Sequence, residues 1–291
     1  MSNNKKTGEA HLIKKTIVLA IPYFIDMFSS YYAIEVMKGV GRGIENSQFD
    51  LQLHMFDLDM GEEIIKAHLT AVTNLAGILF ADIDGNFKIV NMIKQTKVPY
   101  IIMNNLFDDN DTNCIGIDNK SASKEAVEYL IKLGHTRIAT ITGNLKTQSA
   151  IMRLEGYKAA LAEHRIKENP DYIVNGAYNK EKSQEATLKL INEKPRPTAV
   201  FAASDLMAFG AIMMALREDI SVPEDMSIVG FDNSPIAALG HVTITTVNQP
   251  LADMGTIATR ALIDIIEGKA RHPFKQILPT AMIMGNSCRK L

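Results

Sequence analysis

At 291 residues, with 46% hydrophobic and 22% charged side chains, the chain has the make-up of a globular protein long enough for two domains, each with its own core. A formal net charge of -2 argues against a broad basic face of the kind that grips nucleic acid. The two cysteines, Cys114 and Cys288, lie far apart without metal-ligand spacing around them, which argues against a disulfide framework or a zinc site and favours a reduced, cytoplasmic setting.

Residues 1–15 are polar and carry Lys5, Lys6, Lys14 and Lys15, a small basic cluster that reads as a solvated linker remnant. They lack the apolar core and cleavage site of an export signal, and no apolar run in the chain approaches transmembrane length. Short apolar runs then alternate with segments of helical period, the pattern of repeated βαβ units around parallel sheets. In the first half, strands are predicted near 17–21, 51–56, 77–80, 100–103 and 114–117, with helices near 31–46, 62–73 and 86–95. The second half predicts strands near 138–141, 172–174, 199–202, 227–231 and 244–247, with helices near 121–133, 148–164, 180–193, 205–219 and 251–267. A closing strand falls within LPTAMIMGNSC, 278–288. The fold class is therefore α/β, with two Rossmann-like lobes and parallel sheets; chain order alone leaves open which lobe takes the last helix and strand.

The stretch VPEDMSIVGFDNSP, Val222 to Pro235, is the richest in information. Its run Ile228 to Phe231 suits a strand covered on both faces, and it delivers Asp232 where the backbone leaves the sheet. Ligands of open α/β sheets bind at the carboxyl ends of strands, where a carboxylate can accept hydrogen bonds from neighbouring hydroxyls of a polyol. The same aspartate can instead cap the turn at Asn-Ser-Pro. Arg153, near the start of a helix after the Gly143 to Lys146 loop, offers a donor fork for sugar oxygens or carboxylates, or else a surface ion pair with Glu155. Ser204 and Asp205 open a helix after the strand TAVFAA, and one of them caps it. Phe24, Phe28, Tyr31 and Tyr32 follow the first strand; their rings can stack on a pyranose or staple the helix start. Asn104 and Asn105 follow YIIM and can supply amide contacts.

Together with VPEDMSIVGFDNSP, the segments GIDNKSASKEAVEYLIKLGHTRIATITG, RLEGYKAAL, TAVFAASDLMAFGAI, TTVNQPLADMG and LPTAMIMGNSC resemble, in order, the lactose-repressor (LacI/GalR) family of transcriptional regulators. The resemblance runs from about Thr16 to the C-terminus. It implies a periplasmic-binding-protein-like fold with three crossovers, near Asp118, Asn248 and Pro279. One lobe would comprise 16–117 and 250–277, the other 118–249 and 278–291. It further implies a small-molecule effector, in all expectation a carbohydrate, held between lobes by Asp232 and Arg153, with Gln249 facing the cleft or bridging the hinge strands. The family usually has Asn where Ser204 stands, and Asp then Arg where Asn104 and Asn105 stand. Those departures put the carried-over contacts in doubt and point to an altered ligand preference. The family acts as homodimers whose N-terminal helix-turn-helix heads bind operator DNA. Residues 1–15 are too few for such a head, so a truncated or headless form is expected, and operator binding only in a form that carries the head. A sugar-binding receptor for transport or chemotaxis is the alternative.

Enzyme motifs are weak, so no catalytic activity, cofactor or metal is expected. Gly39, Gly41 and Gly43 fall inside a helical pattern rather than after a strand, with the wrong spacing for a dinucleotide loop. Gly143 and Lys146 are too close for a phosphate loop, and Asp82, Asp84 and Gly85 read as a polar turn rather than a calcium loop. His135 is expected to fix a turn before a strand.

Overall fold

The computed structural model describes residues 14–23, 30–57, 62–84, 86–270 and 272–291. Three runs of backbone pairing organise them. The largest sheet has six parallel strands: β1 (Lys15–Pro22), β2 (Phe49–Phe56), β3 (Leu75–Phe80), β4 (Tyr100–Met103), β5 (Cys114–Ile117) and β11 (Lys275–Leu278), in the order β11-β5-β4-β3-β1-β2. The second is a four-stranded parallel sheet of β6 (Ile138–Thr142), β7 (Ile173–Asn175), β8 (Ala199–Ala202) and β9 (Ser227–Val229), ordered β7-β6-β8-β9. The third is the antiparallel pair β10 (Thr246–Asn248) and β12 (Ala281–Ile283), joined to the edge of the second sheet by the isolated bridges Val229 to Thr245 and Asp232 to Asn248.

Strand period explains the layers of the large sheet. Ile17, Leu19 and Ile21 of β1 face a core shared with α1 (Tyr31–Ile44) and α8 (Leu251–Ile266). Val18 and Ala20 between them face the other core, with Ile65 of α2 (Glu62–Thr70) and Ile89 of α3 (Phe87–Thr96). Both faces are buried, so the strand reads as a continuous apolar run. The second sheet is covered likewise by α4 (Asn119–Lys132), α5 (Gln148–Glu163), α6 (Lys180–Asn192) and α7 (Asp205–Arg217), which pack as the pairs α4 with α5 and α6 with α7. Each fully buried Ile, Leu or Phe in these layers contributes about 1.5–3 kcal/mol of transfer free energy.

The glycines of the first helix acquire a packing role. A Cβ at Gly39 would sit 2.1 Å from the Ala252 carbonyl oxygen, and one at Gly43 would sit 2.5 Å from Thr259 Cβ, so these residues let α1 and α8 approach backbone to backbone. Gly255 answers from α8, with the Val36 carbonyl oxygen 2.7 Å from its would-be Cβ.

The closing segment differs from expectation. A strand was not expected at Lys275–Leu278, yet it pairs with β5 of the large sheet. The run predicted as one closing strand yields only Ala281–Ile283, paired with β10. Gln276 and Leu278 alternate with the exposed Lys275 and Ile277 at a sheet edge, too short a signal to stand out in sequence. His135, expected to fix the turn before β6, uses its ring to join segments far from that turn. Its Nδ1 meets Thr198 Oγ1 at 2.9 Å and its Nε2 meets Ser227 Oγ and the Arg289 carbonyl, which ties the C-terminal segment to the second sheet.

Candidate ligand-binding site

The carboxyl ends of strands from both parallel sheets converge, and backbone conformation marks the place. Asp82 and Asp84 after β3, Asn104 after β4, Ala177 and Tyr178 after β7, and Asp232 and Asn233 after β9 all have positive φ. Non-glycine residues seldom adopt that region, and such strain gathers where function fixes the backbone.

Arg153 is the hub. α5 carries it into the protein, 4% exposed, where Nε donates to Asn119 Oδ1 at 2.8 Å and Nη1 donates to the Ala203 carbonyl at 2.6 Å and to Asp232 Oδ1 at 3.4 Å. Nη2 donates to Gln249 Oε1 at 3.0 Å, and the guanidinium carbon lies 3.7 Å from the centroid of the Phe231 ring. The surface pairing with Glu155 is thereby set aside in favour of a buried contact with Asp232.

From this hub a polar chain crosses to the large sheet. Gln249 Nε2 donates to Asn104 Oδ1 at 2.9 Å, and Asn104 Nδ2 donates to Asp82 Oδ2 at 2.8 Å. Gln249, only 3% exposed, thus bridges Arg153 and Asn104. A second link runs beside it. Gln148 at the start of α5 accepts from Leu106 N at 3.0 Å and donates to Leu106 O at 2.9 Å, pairing one side-chain amide with both backbone groups of one residue across the two halves. Asn105 is fully buried; its Oδ1 accepts from Ile83 N at 2.8 Å and its Nδ2 faces Gln148.

Ser204 and Asp205 divide their duties. Ser204 Oγ caps α7 by accepting from Met207 N at 3.3 Å. Asp205 is fully buried, and its carboxylate accepts from Ser234 N (2.7 Å), Ser234 Oγ (3.2 Å) and Thr246 Oγ1 (2.5 Å). The turn at Asn-Ser-Pro is therefore held by Asp205, and Asp232 is left to the cleft. Gly230 makes room for this, because a Cβ there would lie 2.3 Å from Asp205 Oδ1. Burial pushes both carboxyls above the ordinary aspartate value, and the charge of Asp232 adds to the effect on Asp205, while Arg153 opposes it at Asp232.

Tyr31 reaches across from α1, donating to the Asn233 carbonyl at 3.4 Å, and its hydroxyl is pushed up to about 12 by burial and by Glu35, Asp232 and Asp205. Tyr32 donates to the Ala81 carbonyl at 2.6 Å, a bond within its own half of the protein. Phe24 and Phe28 lie outside the described residues.

Four participants were not among the expected site residues. Asn119 and Gln148 open helices directly after predicted strands or loops, the position already argued for Arg153, so chain order carried a usable signal. Asp82 was read only as part of a turn. Tyr178 follows β7 at a conformation no sequence pattern announces; its hydroxyl lies 3.3 Å from Ser149 Oγ, and its ring occupies the space a Cβ at Gly143 would need. Among the described residues no group of three or more His, Cys, Asp or Glu side chains converges as metal ligands, and no helix is long and apolar enough to cross a membrane.

Two α/β halves cross-braced by polar side chains at their strand ends define a two-lobed ligand-binding domain, and comparison with known proteins agrees. The family profile of the periplasmic binding protein-like domain matches residues 127–288. The HTH-type transcriptional repressor CytR of Escherichia coli (strain K12) is 30% identical over 292 residues, covering 100% of this chain and 83% of the repressor. Catabolite control protein A of Priestia megaterium is 30% identical over 250 residues, covering 86% of this chain and 75% of that protein. The solved transcriptional regulator CelR-cellobiose complex superimposes with a TM-score of 0.85 at 27% identity, covering 94% of this chain and 85% of that one. The chain belongs to the LacI/GalR family of transcriptional regulators and corresponds to their effector-binding domain. The CytR and CelR relatives are transcriptional regulators.

Proposed function

We propose that this domain binds a carbohydrate or a similar polyhydroxylated effector between two lobes, 16–117 with 250–277 and 118–249 with 278–291, and that lobe closure tunes the operator affinity of a homodimer bearing DNA-binding heads. The observation that carries the reading is the Arg153–Asp232 pair at the centre of the polar bridge between the two sheets, where Asp232 keeps one carboxylate oxygen without a hydrogen bond from any described residue. Asp232 would accept from ligand hydroxyls, Tyr31 and Tyr178 would border the ring, and Asn104, Ser204 and Gln249 would set its position. The carboxylate of Asp205 supports the loop that presents Asp232. Phe28 and Tyr32 belong to the same entrance by sequence. A sugar ligand is consistent with the cellobiose bound by the structural relative.

Two apolar stripes suit the dimer. Leu206, Phe209, Met213 and Leu216 repeat along one face of α7, and Leu51, Leu53 and Met55 repeat along the edge strand β2. A carbohydrate effector predicts saturable thermal stabilisation by one neutral sugar that Asp232→Ala abolishes; stabilisation that survives this substitution would move the site elsewhere. A cytoplasmic regulator is the setting this function requires.

A further inference from the structure

We infer that the effector of this cleft is uncharged or cationic, and that the cleft discriminates against anionic ligands such as sugar acids and sugar phosphates. This rests on the effector-binding reading above and narrows its ligand class.

The inventory of donors and charges carries the inference. A guanidinium has five N–H donors, and Arg153 commits four of them to Asn119, Ala203, Asp232 and Gln249. Its positive charge is matched by Asp232 in direct contact, so it offers an incoming anion little beyond one N–H. The amides that follow β4 are equally engaged: Asn104 between Gln249 and Asp82, and Asn105 between Ile83 and Gln148. Among the described residues Asp232 at the end of β9 matches this one cation. Asp82 and Asp84 at the end of β3, and Asp205 behind Asp232, are pushed by burial toward the protonated form and add no cation for an anion to meet.

Helix N-termini, the usual backbone sites for anions, are mostly closed here. Asp118, Thr147, Ser204 and Asn86 each direct their own side-chain oxygen at the first turn of α4, α5, α7 and α3. Ser30 at α1 and Pro250 at α8 make no such bond, and Lys146 stands exposed on the loop before α5. Among the described residues these are the places from which an anion would draw support.

What remains for a ligand, among the described residues, is the second oxygen of Asp232, which accepts no hydrogen bond from any of them. Acceptors of this kind call for ligand hydroxyls or ammonium groups, which donate. A carboxylate or phosphate on the ligand would bring more acceptors and a like charge into a partly desolvated site.

The test is isothermal titration of the full chain with glucose, cellobiose, xylose and ribose, followed by the amino, uronic acid and phosphate derivatives of whichever sugar binds. The uronate and the phosphate are expected to bind about tenfold or more weaker than the neutral parent, roughly 1.4 kcal/mol or above, and the amino sugar at least as tightly as the parent. An anionic derivative that binds as tightly as its parent overturns the charge selection while leaving the effector reading intact. If the folded protein binds neither the neutral sugars nor glucosamine, glucuronate or glucose 6-phosphate, the carbohydrate reading falls and the charge selection with it.

Discussion

Asp232 is held in a compromise between stability and ligand capture. Burial raises its pKa and Arg153 only partly offsets that, so the ionised side chain is a destabilised group kept in place by its surroundings. Asp232→Asn is expected to raise the melting temperature of the ligand-free domain while weakening sugar affinity by about tenfold or more; calorimetric melting and titration of the same sample read both. Asp205 sets a pH dependence whose sign is fixed. Its carboxyl sits above the ordinary 3.8 in the fold, so the folded state holds a proton that the unfolded state has already released. The associated stability is complete below 3.8 and is lost as pH rises through the folded value toward neutrality. Stability measured by urea titration should therefore decline across that window, and Asp205→Asn should flatten the decline. A profile unchanged by this substitution would assign the dependence to Asp232, Asp82 and Asp84, whose carboxyls burial raises in the same direction.

At the scale of elements, the start of α5 does two jobs that one turn of helix brings together. It delivers Arg153 inward and, one turn earlier, places Gln148 against the Leu106 peptide of the other sheet. Each of those two hydrogen bonds is worth about 0.5–1.5 kcal/mol where water competes. Gln148→Ala should shift the domain toward an open arrangement, seen as a larger radius of gyration in X-ray scattering without ligand and about fivefold weaker effector binding, since closure must then be driven by the ligand alone. An unchanged radius together with unchanged affinity would make the contact incidental. The positive φ values of Asp82, Asn104, Tyr178 and Asp232 belong to the same scale, each just past the carboxyl end of a parallel strand.

For the whole molecule, the exposed stripe of α7, with Leu206, Met213 and Leu216 at 39%, 43% and 52% exposure, predicts self-association. Sedimentation should give twice the chain mass of 32.1 kDa, and Met213→Glu combined with Leu216→Glu should return it to one. A wild-type chain that sediments as a monomer at micromolar concentration would remove the dimer from the proposed mechanism.

The alternation of buried strands with helices was legible in sequence because each strand of a parallel sheet covered on both faces must be apolar throughout, as 17–21 and 199–202 are. The placement of Asp232, Arg153 and Ser204 at strand ends and helix starts followed from that alternation, since chain order alone puts those residues at the carboxyl edge of a sheet. Partners could not be read in the same way. That Arg153 meets Asn119, Ala203 and Gln249, that Asp205 and not Asp232 holds the Ser234 turn, and that Gly39 and Gly43 serve helix contact with α8 all depend on residues between 29 and 217 positions apart. β11 was missed for the same reason, as its short run gains meaning only from the open edge of β5. Local pattern determined the elements and the edge where the ligand site would form; long-range packing decided which polar groups remain free to bind, because a hydrogen bond is assigned by distance in space and not by distance in the chain.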